Sequence, residues 1–96
     1  MVPLCSSRQI VNALRRAGFV PARGAVGDHQ AFVRDLPDGR RLTAIVLIGQ
    51  REVPRGTLRK ILQQAELSVE EFMALLYRRL TLALLLHPSG AILSLM

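Results

Sequence analysis

Two histidines, one cysteine and thirteen basic side chains are the groups with which this 96-residue chain could do chemistry. No phosphate-cradling glycine motif, carboxylate pair or Ser/His/Asp set stands out along it. One cysteine and two histidines far apart in sequence do not supply the paired ligand spacings of a zinc site, so neither metal nor cofactor is expected. His87 lies beside a Pro-Ser-Gly break in an apolar tail and reads as incidental. His29 remains, directly after a glycine-rich stretch and at the start of an extended segment, where its imidazole could project from a sheet edge into solvent. A lone histidine is more often structural or merely exposed, so elimination alone leaves the role of His29 open. If it is catalytic, cleavage of RNA fits best. RNA carries its own nucleophile, the 2′-hydroxyl, and an imidazole with a reference pKa of ~6.5 can take or return a proton near neutral pH.

The basic residues set the partner class. Thirteen Lys and Arg against seven Asp and Glu leave a formal charge of +6, and twelve of the thirteen are arginine, which grips phosphate in a planar, bidentate way. Arg55, Arg59 and Lys60 fall near the start of a helix, where free backbone N–H groups already favour anions. Arg23, Arg40, Arg41 and Arg51 fall in loops and turns around the strands. Each alone is most simply a solvated charge; together they border one sheet and could neutralise a developing phosphorane. An aromatic content of 4% argues against a platform that stacks single-stranded bases, leaving shape and phosphate contacts.

The elements that must position these groups follow from periodicity. Ser6 or Ser7 can cap a helix running to about Ala17, with Ile10, Ala13, Leu14 and Ala17 as its buried stripe and Gly18 as its left-handed stop. Phe19 and Val20 begin an extended segment that Pro21 confines to an edge or a strand beginning. Residues 23–28 read as a flexible connection, and His29 to Asp35 alternate as a strand does. Pro37-Asp38-Gly39 is a turn. Arg40 to Ile48 is a second full strand, so apolar from Leu42 onward that burial on both faces, or cover by helices, is expected.

Leu58, Ile61, Leu62 and Ala65 repeat the helical stripe, in a helix capped by Thr57 or starting nearer Pro54. Ser68 to Glu71 forms a capping box with Leu67 and Phe72 as its staple, opening a helix that carries Val69, Phe72, Met73 and Leu76 inward and reaches at least Arg79. The expected architecture is α+β: a three-stranded antiparallel sheet with helices on one face, plus an extra C-terminal helix. Leu80 to Leu86 is apolar on all sides, too short to span a bilayer, and reads either as further helix on the core or as a partner-binding patch. One domain over residues 1–79 and an apolar extension over 80–96 are expected. Lone Cys5 reads as inert or frayed, and its isolation together with the lack of a signal-like start points to a cytoplasmic chain.

Several segments agree in order with one family. Gly27-Asp28-His29-Gln30-Ala31-Phe32 resembles the Gly-Ser-His signature of HicA toxins, also called YcfA-like proteins. Leu14-Arg15-Arg16-Ala17-Gly18-Phe19 and Pro37-Asp38-Gly39-Arg40 lie where that family places them, and Gly56 to Leu62 and Ala65 to Phe72 resemble its C-terminal half. The resemblance runs from about Ser6 to Tyr77. It implies a double-stranded-RNA-binding-domain-like αβββα fold, an mRNA interferase activity in a toxin–antitoxin system, a HicB-like antitoxin as partner, and His29 in the place of the active-site histidine. Two positions depart from the family: Asp28 stands where a small hydroxyl residue is expected, and Val46-Leu47-Ile48 lacks a second, Pro-x-His-like histidine. The other readings are a non-catalytic module that binds duplex RNA and a degenerate toxin that only holds an antitoxin. The oligomeric state is not legible in the residues.

Overall fold

A computed structural model describes residues 2–24 and 26–77. Arg78 and Arg79, the Leu80–Leu86 run, His87 and the expected 80–96 extension lie outside the described residues. The elements are α1 (Ser7–Arg16), β1 (Val20–Pro21), β2 (His29–Asp35), β3 (Arg41–Leu47), α2 (Arg55–Ala65) and α3 (Val69–Leu76). The strands form one antiparallel sheet in the order β1-β2-β3. This is the expected α+β arrangement, helix, three strands and helix, with α3 as the additional C-terminal helix.

Local chemistry accounts for most of the boundaries. Ser6 caps α1 through a full capping box: its hydroxyl accepts from the Gln9 N–H, and Gln9 Oε1 accepts from the Ser6 N–H. Gly18 follows α1 at a φ of +95°, a left-handed conformation that glycine adopts without cost. The hairpin between β2 and β3 closes between Leu36 and Arg40, with Gly39 at a φ of +90° and Asp38 Oδ1 accepting from the Arg40 N–H at 3.0 Å. Pro54 occupies the N-cap position of α2 without a side-chain capping bond, having no N–H of its own to leave unpaired, and Thr57 sits inside the helix. Ser68 and Glu71 exchange both capping-box bonds at 3.0 Å. α3 ends at Leu76 with Tyr77 as its cap, short of the expected Arg79.

The two faces of the sheet differ. Phe32 on β2 and Leu42, Ala44 and Val46 on β3 are buried with Ile10, Ala13 and Leu14 of α1, Leu58, Ile61, Leu62 and Ala65 of α2, and Phe72 of α3. The opposite face carries His29, Ala31, Val33 and Asp35 with their register partners Leu47, Ile45, Thr43 and Arg41. Ile45 is 46% exposed there, which corrects the expectation that β3 is buried on both faces. A continuous apolar run does not distinguish a strand covered twice from one whose outer aliphatic residues stay in solvent. Cys5 is also not frayed. It bridges to Val53 and is buried in the core, where loss of water pushes its thiol pKa up. No helix among the described residues is long and apolar enough to cross a membrane.

Candidate active site

His29 is the first residue of the central strand, exposed, on the sheet face turned away from the helices. Its backbone is held on both sides. The His29 N–H donates to the Val26 carbonyl at 3.1 Å and the Val26 N–H to the His29 carbonyl at 3.3 Å. The Ile48 N–H donates to the Asp28 carbonyl at 2.8 Å. Gly27 and Asp28 therefore form a tight two-residue turn rather than a flexible connection. Gly27 has a φ of +58° at the first central position, where a II′-type turn takes glycine. The Gly-Asp pair beside an alternating strand was the signal for this turn.

Beside His29 lies a groove of about 330 Å³, lined by His29, Ile45 and Leu47 of the open sheet face, by Gln50 and Pro54, and by Thr57, Lys60, Ile61 and Gln64 of α2. The groove exists because α2 packs alongside β3. Leu58, Ile61, Leu62 and Ala65 bury one stripe of the helix, and the neighbouring stripe Thr57, Lys60, Gln64 stands at the rim. Ser7 fixes the other wall. Its hydroxyl donates to the Leu47 carbonyl at 2.6 Å and accepts from the Gln50 N–H at 3.1 Å, and its own N–H donates to the Gln50 carbonyl at 2.9 Å. Apolar side chains floor the groove, while the imidazole of His29, the ammonium of Lys60 and the hydroxyl of Thr57 have no protein partner among the described residues.

The sequence-derived basic residues separate into two groups. Lys60 enters the groove with His29. Arg23 is exposed in the loop that leads into the Val26–His29 turn, and Arg59 is exposed on α2 outside the groove lining. Arg55, at the start of α2, turns back and donates from Nε to the Val2 carbonyl at 3.2 Å. Arg40 and Arg41 stand at the other end of the sheet, about 20 Å along the strand from His29. Arg40 is paired with Asp38 at 2.9 Å and Glu66 at 3.0 Å, and Arg41 with Asp35 at 2.6 Å. The structure thus brings Lys60 to His29 and keeps Arg40 and Arg41 apart, occupied by acids. Gln50 and Gln64 carry no signal of their own in the sequence as site residues, and Thr57 reads there only as a helix cap. Thr57, Lys60 and Gln64 at i, i+3 and i+7 were the available trace.

Among the described residues no group of three or more His, Cys, Asp or Glu side chains is placed to hold a metal ion. The described arrangement offers a proton-transfer group, a cation and a row of hydrogen-bond donors around an open groove. A family model described as the HicA toxin of bacterial toxin–antitoxin systems matches residues 7–67, more than half the chain and the whole of the sheet and α2. A comparison with curated proteins returned no match.

Proposed function

The chain belongs to the HicA toxin family, and from that premise we propose that it is a ribonuclease that cleaves mRNA and so inhibits translation, with His29 as the general acid–base. The observation that carries this reading is the meeting of His29 with Thr57 and Lys60 of α2 in one groove, their polar side chains without a protein partner among the described residues. A phosphodiester in that groove would meet the ammonium of Lys60, the hydroxyl of Thr57 and the imidazole of His29.

The chemistry then needs only what RNA and this chain supply. His29 accepts the proton of the 2′-hydroxyl as its oxygen attacks the adjacent phosphorus. The bond from phosphorus to the 5′-oxygen breaks, and that oxygen takes a proton from the imidazolium or from water, leaving a cyclic phosphate and a 5′-hydroxyl. Lys60 offsets the charge that gathers on the phosphoryl oxygens. No metal-bound nucleophile enters the scheme. Arg23, exposed in the loop that leads to His29, and Arg55 and Arg59, exposed on α2, would extend the contact to neighbouring phosphates. A HicB-like antitoxin is the expected protein partner, and the cytoplasm, where mRNA is translated, the expected place of action.

The test is incubation of the purified protein with an mRNA, with and without chelator, beside the His29→Ala variant. The reading expects fragments that persist in chelator and a rate at least about 100-fold lower in the variant. The exposed position of His29 predicts unchanged thermal melting. Undiminished cleavage by His29→Ala would overturn the assignment. RNA binding with no fragments from either protein would leave a non-catalytic RNA-binding module, or a toxin whose remaining role is to hold its antitoxin.

A further inference from the structure

Gln64 differs from the other polar residues of the groove in being tied at one end. Its Oε1 accepts from the backbone N–H of Ile45 at 3.1 Å. A backbone N–H can only donate, so this bond fixes which end of the carboxamide faces the strand. The opposite end, Nε2, has two N–H donors and no protein partner among the described residues, and Gln64 lines the groove that holds His29. β3 is an edge strand, and its Ile45 N–H would otherwise be an open edge donor. Satisfying that N–H with a glutamine, rather than with water, leaves a donor held in place at the rim.

Position adds to this. Ile45 lies two residues along β3 from Leu47, the register partner of His29, a separation of about 7 Å along the strand. Thr57, Lys60 and Gln64 then form a row of donors along one edge of α2 that spans roughly 10 Å. A hydroxyl, an ammonium and an amide N–H share one property, the ability to donate to oxygen. A sugar–phosphate strand presents acceptor oxygens at successive nucleotides along such a row.

We propose that Gln64 is a substrate-positioning residue, locked by the Ile45 N–H so that its Nε2 donates to a backbone oxygen of the nucleotide next to the one on which His29 acts. The assignment rests on the RNA-cleaving reading for its choice of ligand. Its content is separate: which atom of Gln64 meets the strand, and that this contact affects binding rather than proton transfer.

Gln64→Glu separates positioning from structure, because glutamate keeps an oxygen for the Ile45 N–H and removes the donor. Gln63→Glu, one residue earlier, exposed and outside the groove lining, adds the same charge without touching the groove. Both are compared with the wild-type chain in cleavage kinetics and in binding of a non-cleavable 2′-O-methyl RNA, with thermal melting as the check on folding. The expected result is a KM for cleavage, and a Kd for the 2′-O-methyl RNA, raised roughly tenfold in Gln64→Glu beyond Gln63→Glu, the scale of one hydrogen bond. The limiting rate and its pH profile stay close to wild type. In the unsubstituted protein, the Gln64 side-chain amide resonance shifts on adding the same RNA.

Equal binding by the two glutamate variants, or an unmoved amide resonance, overturns the proposal even where wild-type protein cleaves RNA and His29→Ala does not. Conversely, weakened RNA binding by Gln64→Glu in a protein that never cleaves supports the contact while the ribonuclease reading fails.

Discussion

Asp35 and Arg41 face each other at the end of the β2–β3 ladder farthest from His29, joined at 2.6 Å through Arg41 Nε. Each holds the other in its charged form. The hydrogen bond from Arg41 lowers the Asp35 carboxyl pKa, and the same contact raises that of the guanidinium. With Arg40 paired to Asp38 and Glu66, the far end of the sheet engages both Arg40 and Arg41 with neighbouring acids. The His29 end has Lys60, Arg23 and Arg59 without acidic partners among the described residues. On the proposed RNA-cleaving reading, Lys60, Arg23 and Arg59 are therefore the bases left to meet phosphate, and Arg40 and Arg41 are not.

This division predicts unequal salt responses. Lys60→Ala should weaken binding of single-stranded RNA and reduce the slope of log affinity against log salt by about 0.7, one phosphate contact. Arg41→Ala should change that slope by much less. Fluorescence anisotropy across a salt series measures both, and an equal loss of slope in the two variants would contradict the assignment of the binding end.

Asp28, in the turn that presents His29, carries an exposed carboxylate with no partner among the described residues. A negative charge there opposes an approaching phosphate. Asp28→Ser should raise kcat/KM at low salt by about fivefold, the scale of ~1 kcal/mol between nearby charges in water. The gain should shrink as salt screens it. Cleavage kinetics at two ionic strengths decide the matter; a loss of activity would mean that the carboxylate assists His29 instead.

Ser7 is 2% exposed and joins α1 to Leu47 and Gln50 in the wall of the groove opposite α2. Ser7→Ala leaves the Leu47 carbonyl and the Gln50 N–H without their partner and should cost about 2 kcal/mol in urea denaturation. Because Leu47 is the register partner of His29, RNA cleavage should fall as well. Ser6→Ala, which removes a helix cap alone, should cost about 1 kcal/mol and leave cleavage near wild type.

Acid stability should follow the capping box of α3. The Ser68 backbone N–H, and after it the Ser68 side chain, lower the pKa of the Glu71 carboxyl in the folded chain. A carboxyl held below its unfolded value adds stability that is complete above that value and lost as pH falls through the folded one. Asp35 and Asp38, held down by Arg41 and Arg40, act in the same sense. Stability should therefore decline as pH drops below about 4. Glu71→Gln, which keeps the acceptor and does not titrate, should flatten part of that decline in denaturation curves taken between about pH 5 and 3. An unchanged slope would show that the box contributes nothing to acid sensitivity.

Much of this molecule was legible along the chain because the signals are local. The stripes Ile10-Ala13-Leu14 and Leu58-Ile61-Leu62-Ala65, the Ser68–Glu71 box and the Pro37-Asp38-Gly39 turn each depend on residues within one or two turns of backbone. Each formed where it was expected. Two local signals went further than their reading. Ser6 and Gln9 form the same box as Ser68 and Glu71, and Gly27-Asp28 makes a tight turn. His29 could be placed at the start of a strand from its neighbours alone, and its identity as the candidate acid–base came from elimination and family resemblance.

What only the tertiary structure decided concerns residues that meet from different elements. The outer face of β3 stays in solvent because all three helices gather on the other side, a choice that the nearly all-apolar run from Leu42 to Ile48 does not encode. Seven basic residues looked alike as a border to the sheet. The β2–β3 register and the packing of α2 against β3 sent Arg40 and Arg41 to acids at the far end and set Lys60, Thr57 and Gln64 beside His29. Periodicity specifies which face of an element is buried. It does not specify the neighbour against which that face is buried, and a site shared between a strand and a helix depends on that neighbour.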